Sequence, residues 1–388
     1  MKRHIQVEDS SKQKRQRVEA STQSGVIASL TEALDFTALN SLEEISSRFD
    51  ELARMLMFSH VIHLHTPGRT SKDIEYEILE LEFYLHKPGC HADPFTHRAT
   101  EQRQSGQWSL VFVFLNVQPL LTFLRHRYFH RTPTATGVSD TSYRGGSRKG
   151  MDLTLGSPVS SLPSSVSETN SDSTRGGVLL RTIRRLKDRK VVSGPSRLVD
   201  EILAQSGAQS IPELVQSKWK DDTSAFSLVV PSSRPSLRII PRKAPSKITN
   251  PFSCPRIGLD LSHRSTTNFP GDPRVAFVCK PYRYIVSPEL LTFNGRPQTF
   301  VGVYDRLSES MGGSTVKLVE AIANVTGIKK QTVLGYIESL DSGLEGKRSL
   351  NSFIRTKTRS VADYLVMVGA LRRQSASVIV VESDDEIE

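Results

Sequence analysis

Two glutamates and a tyrosine, Glu80, Glu82 and Tyr84, occupy alternate positions in the stretch Ile74-Glu75-Tyr76-Glu77-Ile78-Leu79-Glu80-Leu81-Glu82-Phe83-Tyr84-Leu85. Successive side chains of a β-strand point to opposite faces. A strand here puts Leu79, Leu81, Phe83 and Leu85 on one face and Ile78, Glu80, Glu82 and Tyr84 on the other. The first face is a core surface, and the second sets two carboxylates and a ring in a row. Acids flanked by apolar groups lose hydration, which is how a carboxylate is tuned as a general base. The same pattern also fits a half-exposed strand with a solvated acidic face.

Further segments carry groups able to complete a site. The loop Gly89-Cys90-His91-Ala92-Asp93-Pro94-Phe95-Thr96-His97-Arg98 is dense in polar and aromatic residues. Then come Val178-Leu179-Leu180-Arg181, Gly194-Pro195-Ser196-Arg197-Leu198, Cys254-Pro255-Arg256-Ile257-Gly258 and Lys280-Pro281-Tyr282-Arg283-Tyr284. In this order, over roughly residues 50–287, these pieces resemble the alkyladenine (3-methyladenine) DNA glycosylases of the mammalian and bacterial type. That family has a Glu-x-Glu-Ala-Tyr strand, a His-containing loop, Val-Leu-Leu-Arg, Gly-Pro-x-x-Leu, Pro-Arg-x-Gly and Lys-Pro-x-Arg-Phe.

The resemblance implies a base-flipping enzyme that hydrolyses the N-glycosidic bond of damaged or alkylated purines in double-stranded DNA, with neither cofactor nor metal. A duplex hides the target base, so such an enzyme must extrude it. By the same resemblance Glu82 activates the attacking water, and Arg181 helps to hold that water and the acid. Tyr84 falls on the tyrosine that stacks on the flipped base, and His91 or His97 on the loop histidine opposite. The family's Tyr-Val-Tyr and Tyr-Gly-Met-His pocket has no clear copy here; Trp108, Tyr128, Phe129, His130 and Tyr143 occupy that part of the chain, and Phe83 replaces a small alanine. The alternative on the same fold is a catalytically inactive nucleic-acid-binding protein, or a SUMO-dependent nuclear interaction protein.

The chain has 388 residues and a net charge of +10, a balance that favours an anionic partner such as nucleic acid. Cys90, Cys254 and Cys279 are too widely spaced for a zinc pattern or a disulfide framework, which points to a reducing compartment. No P-loop or nucleophile elbow is present, and the polar N-terminus shows no signal peptide.

The elements that must position these residues read as an α+β fold. One curved, mostly antiparallel sheet domain with flanking helices spans 41–305; a small helical region covers 306–371, and the tails 1–40 and 372–388 are expected to be disordered. Residues 41–65 read as a helix capped by Asn40 or Ser41, with Ile45, Phe49, Leu52, Leu56 and Met57 as its stripe. Short strands are expected at Val178–Ile183, Phe226–Val230, Leu237–Ile240, Ile257–Leu261, Val275–Cys279 and Tyr282–Val286. A helix follows Gly194-Pro195-Ser196, whose free amides suit a phosphate.

Residues 109–127 are the most apolar run, read either as a buried strand or as an insertion foreign to the fold, such as a translated intron. The span 132–175 reads as a largely disordered insertion. Its Gly- and Arg-rich part, with Tyr143 as a ring for the substrate, supplies Arg144, Arg148 and Lys149 as phosphate contacts beside Ser196, Arg197 and Lys280. Thr315–Val325 and Lys330–Leu340 form a helix-turn-helix-like pair, with a third helix at Ser360–Leu371. Lys2-Arg3 and Lys14-Arg15-Gln16-Arg17 fit a bipartite nuclear signal. Val378-Ile379-Val380-Val381 before acids fits a SUMO-interacting motif that pairs with a sheet edge.

Overall fold

The computed structural model describes residues 29–68, 72–112, 149–158, 173–226, 233–244, 250–291, 294–311 and 314–385. Ten strands among these residues form one sheet: β1 (His60–Thr66), β2 (Lys72–Lys87), β3 (His91–Ala92), β4 (Trp108–Phe112), β5 (Lys149–Leu155), β6 (Arg175–Arg185), β7 (Val191–Ser193), β8 (Ser236–Pro241), β9 (Phe252–Cys254) and β10 (Arg283–Ile285). The main path runs β4-β5-β6-β2-β1-β8, with β10 also pairing β2 and β9. Every pairing between these strands is antiparallel. The fold is therefore the expected α+β arrangement, a curled antiparallel sheet with flanking helices.

Strand β2, 16 residues long, is the spine. Two irregularities interrupt its pairing with β6, between Ile78 and Glu80 and between Glu80 and Leu81. The first leaves Leu79 without a partner and the second leaves Arg181 without one. An extra residue reverses the alternation of a strand. Ile78 therefore joins Leu81, Phe83 and Leu85 in the main core, while Leu79 does not. The expected division into faces holds from Glu80 onward and fails at Ile78 and Leu79.

Helix α1 (Leu42–Arg54) covers the core face of β2. Ser41 caps it in a reciprocal box with Glu44, so two of the free amides at its start are satisfied. Phe49 stacks on Phe83 at 4.4 Å and meets Tyr282 edge-on at 4.9 Å. The helix ends well before the expected residue 65. A π-helical turn, Met55–Ser59, leads into β1, where Ile62-His63-Leu64-His65 alternates with period two.

Other expectations also change. Leu30, Ala33, Leu34 and Phe36 are core residues, so the stretch 29–40 is no disordered tail. Ser109–Phe112 lie in β4, paired with β5 from Trp108↔Leu153 to Phe112↔Lys149, so this part of the apolar run belongs to the fold. Strand β5 lies inside the span read as disordered, where Met151, Leu153 and Leu155 bury one face. Val275–Cys279 is not a strand: Val275–Val278 belong to helix α3 (Pro273–Val278) and Cys279 caps its end, the start being set by Asp272 accepting from the Arg274 amide and by Pro273 at the first position. Ile257–Leu261 is turn and loop.

Helix α2 (Pro195–Gln205) follows Gly194 as expected. Helices α4 (Arg296–Ser308), α5 (Thr315–Thr326), α6 (Lys330–Leu344) and α7 (Val361–Asp385) complete the chain. The expected domain boundary at residue 305 falls inside α4. A second core joins Leu261, Val275, Val278 and Phe300 to Ile322, Val333, Leu340 and Leu365, so the helical region is built onto the sheet domain. Helix α7 continues through Val378–Val381 to Asp385, where a disordered tail was expected. Its first half is packed, and propagating a helix from an existing turn is far easier than starting one. Pairing Val378–Val381 with another sheet requires those turns to unwind. Both halves of the nuclear signal lie outside the described residues. No helix among the described residues is long and apolar enough to cross a membrane.

Candidate active site

The outer face of β2 carries Glu80, Glu82 and Tyr84 as the alternation requires, and residues from distant segments close around them. Glu82 is 0 % exposed. Its Oε1 accepts from the Ile257 amide at 2.8 Å, and its Oε2 accepts from the Tyr84 hydroxyl at 2.8 Å and from Arg181 Nη1 at 3.2 Å. The turn after Pro255-Arg256, with Gly258 at φ 80°, aims that amide at the carboxylate. An ionised carboxylate has about four acceptor directions. Three are used, one on Oε1 and two on Oε2.

Arg181 bridges the two acids, its Nε donating to Glu80 Oε1 at 3.2 Å. Arg283 Nε donates to the same oxygen at 2.7 Å, and the Thr182 hydroxyl donates to Glu80 Oε2 at 2.6 Å. Both terminal nitrogens of Arg283 rest on Thr299 Oγ1 of α4, so this ion pair ties β2 and β10 to the helical layer. Burial pushes the Glu80 carboxyl up, but the charges of Arg283 and Arg181 outweigh it and leave it lowered. Burial likewise opposes the charge on Arg181, and Glu82 and Glu80 more than restore it. The Tyr84 phenol is raised well above its ordinary value, by burial and then by the Glu82 charge, so it stays a donor to Glu82.

A second buried ion pair lies beside the first. Arg256 grips Asp93 with two nitrogens, at 2.6 and 3.2 Å, and reaches the Phe83 carbonyl at 3.1 Å. Its guanidinium lies 4.6 Å from the Tyr84 ring centre, so one face of the tyrosine expected to stack on a base is already covered by a cation.

One acidic residue of the site has no counterpart among the motifs. Asp152 of β5 pairs in register with Leu179 of β6, and Leu179 pairs in register with Glu82 of β2. Directly opposed residues in a sheet share a face. Asp152, Leu179, Glu82 and Arg283 therefore form one row across four strands. Asp152 is buried, and no cation among the described residues forms an ion pair with it. Burial, and then the Glu82 charge, push its carboxyl up to about 7. The alternation of Met151, Leu153 and Leu155 with Asp152 and Thr154 was the sequence signal for it.

The remaining site candidates divide. His91 is fully buried, its Nδ1–H donating to the Leu85 carbonyl at 2.8 Å and its Nε2 accepting from the Tyr282 hydroxyl at 3.0 Å. It packs against Phe49 on the core side, and burial holds its pKa down to about 4, so it is a neutral core histidine. His97 is half-buried in the loop. Ser196 is spent on Lys149: its hydroxyl accepts from the Lys149 amide at 3.0 Å and donates to the Lys149 carbonyl at 3.2 Å. The Lys149 ammonium pairs with Asp200 at 2.5 Å, so these two expected phosphate contacts fasten β5 to α2. Arg197 is exposed, and Lys280 is half-buried with its pKa lowered by burial. Tyr128, Tyr143, Arg144 and Arg148 lie outside the described residues.

Among the described residues no group of three or more His, Cys, Asp or Glu is placed to hold a metal ion. Two shallow cavities, of about 220 and 360 Å³, lie away from the acids: one between α5 and α6, the other lined by Asn268 and Arg348 near the α6–α7 contact. No family model matches the chain. The chain is similar to an uncharacterized protein of Acanthamoeba polyphaga mimivirus, 27 % identical over 215 residues that cover 55 % of this chain and 76 % of that protein.

Proposed function

We propose that this protein is a nuclear DNA glycosylase that hydrolyses the N-glycosidic bond of a modified purine flipped out of the duplex. The observation that carries the reading is the Glu82 carboxylate, held by the Ile257 amide, the Tyr84 hydroxyl and Arg181. In this reading a water admitted with the flipped nucleotide hands its proton to Glu82 as its oxygen attacks C1′. Arg181 and the amide fix the carboxylate, so little reorganisation accompanies the transfer. The segments that supply these contacts are the ones that carry the resemblance to the alkyladenine glycosylases. The net charge of +10 suits a DNA backbone.

A second reading, a binding protein that keeps this fold without chemistry, draws on the complete burial of Glu82. Replacement of Glu82 by glutamine separates the two. Loss of base release with duplex binding retained supports hydrolysis. Duplex binding without base release in either protein supports the binding reading. Val378–Val381 as a contact for SUMO is a further proposal, tested by titrating SUMO against the intact chain and a chain ending at residue 377.

A further inference from the structure

We propose that the cavity at the α6–α7 contact holds one nucleotide of a single-stranded nucleic acid, its phosphate on Arg348 and Arg373 and its base on Phe269. The proposal stands apart from hydrolysis at Glu82. The three residues come from separate segments; the fold brings two of them to one cavity and sets the third beside it. Helices α6 and α7 touch through Gly343 and Gly369, and the loop that leaves α6 lies against α7. The cavity there, of about 360 Å³, is lined by Asn268, Arg348, Ser349, Asn351, Arg373 and Gln374 among others. That volume lies in the range of small-ligand sites. No acid is among its lining residues.

Both guanidinium groups are fixed before any ligand arrives. Arg348 Nη1 pairs with Asp363 at 2.6 Å, its Nε donates to Ser352 Oγ at 3.0 Å, and its Cζ lies 4.2 Å from the Phe353 ring centre. Its Nη2 has no partner among the described residues. Arg373 donates to the Glu345 carbonyl at 3.3 Å, and its guanidinium fills the space that a side chain at Gly346 would take. Gly346, at φ 76°, follows α6 in the left-handed conformation that favours glycine. The carboxylates in reach are spent, Asp363 on Arg348 and Glu345 on Lys347. Lys347, Arg348 and Arg373 thus stand against two acids, and amides and a hydroxyl supply further donors. Such a lining suits an anion rich in acceptor oxygens, and planar guanidinium groups match phosphate.

The ring beside the cavity selects what carries the phosphate. Gln374 Nε2 donates to the Asn268 carbonyl at 2.9 Å and holds the loop before α3 on α7. Phe269, the next residue, is 66 % exposed. It opens a turn closed by the Asp272 amide, which donates to its carbonyl at 2.9 Å, and its ring packs over Gly271. An aromatic ring held on a turn next to a phosphate-binding wall is a stacking platform for a base. The bases of a duplex are already stacked on one another, so this surface fits a single strand.

The test follows the fluorescence anisotropy of a labelled single-stranded oligonucleotide of about ten residues over a series of salt concentrations. It uses the full chain, as wild type, Arg373→Gln and Phe269→Ala. Arg373→Gln is expected to weaken binding about 5-fold or more and to flatten the slope of log K against log salt by about 0.7. Phe269→Ala is expected to weaken it about 5-fold or more with that slope unchanged. The wild-type chain, irradiated with the same strand carrying 5-iodouracil, should cross-link at Phe269; this readout is independent of how a variant folds. Unchanged affinity in either variant, or cross-links only at other residues, overturns the proposal. Displacement of the strand by a mononucleotide or by a phosphoserine peptide at the strand's own concentration also overturns it, in favour of a free nucleotide or a phosphorylated protein. Base release dependent on Glu82, present or absent, bears on the hydrolytic reading and leaves these outcomes unchanged.

Discussion

Each acid of the site has a different set of partners, and the partners decide what its loss does. Glu80 joins Arg181, Arg283 and Thr182 in a buried network. Removing it strands two guanidinium groups, and breaking a buried ion pair costs about 3–5 kcal/mol. Glu80→Ala is therefore expected to lower unfolding stability by that amount, read from denaturant midpoints. Asp152 behaves in the opposite sense. Its carboxyl ionises near 7 in the folded chain against an ordinary value of 3.8. Below the lower value both states are protonated and the group's contribution is fully present. As pH rises through this window the unfolded chain ionises first, and stability falls until it levels off above about 7. Asp152→Asn removes that slope, so the variant should gain on the wild type in thermal midpoint from about pH 4 to about pH 7. A constant gap would show that Asp152 titrates normally.

At the scale of elements, what was legible in the sequence was whatever local pattern and capping decide. Ser41 with Glu44 marks the start of α1, and Leu81, Phe83 and Leu85 alternating with Glu80, Glu82 and Tyr84 mark β2. The irregularities opposite Leu79 and Arg181 were not legible, because a bulge is a property of two paired strands and neither strand states it alone. Val275–Cys279 misled through its apolar composition, although Asp272-Pro273 is a helix start. Asp152 was hidden by the low-complexity residues downstream of it, which drew the whole span into one insertion. Residues 109–112 supply four of the five residues of β4, so deleting 109–127 strips the partner from β5 and from Asp152. The deletion is expected to lower the thermal midpoint and to abolish any base release, as measured on the purified deletion protein. An unaltered midpoint would return this run to the status of a foreign insertion.

For the whole molecule, the second core makes the helical region part of the fold. Gly343 of α6 and Gly369 of α7 pack backbone to backbone; a methyl group on Gly369 would lie 2.2 Å from the Leu340 carbonyl oxygen and 2.9 Å from Gly343 Cα. Gly369→Val should therefore force the helices apart and cost more than about 1–3 kcal/mol, since backbone yields less than side chains. Because Leu261, Val275 and Val278 share a core with Ile322, Val333 and Leu365, a chain ending at residue 305 should fail to unfold cooperatively. Hydrogen exchange or calorimetry reads this directly. The helix-turn-helix-like pair α5–α6, tied at Gly327 with φ 69°, thus has a structural task whatever else it touches.

The proposed hydrolysis requires Glu82 to activate water against a glycosidic bond. The most direct measurement is the formation of abasic sites in duplexes carrying single modified purines, with the wild-type chain and with Glu82→Gln side by side. Abasic sites are expected with the wild type and a fall of about 100-fold or more in the variant, with duplex binding retained. Equal release by both proteins, or salt-sensitive duplex binding with no release by either, would contradict it.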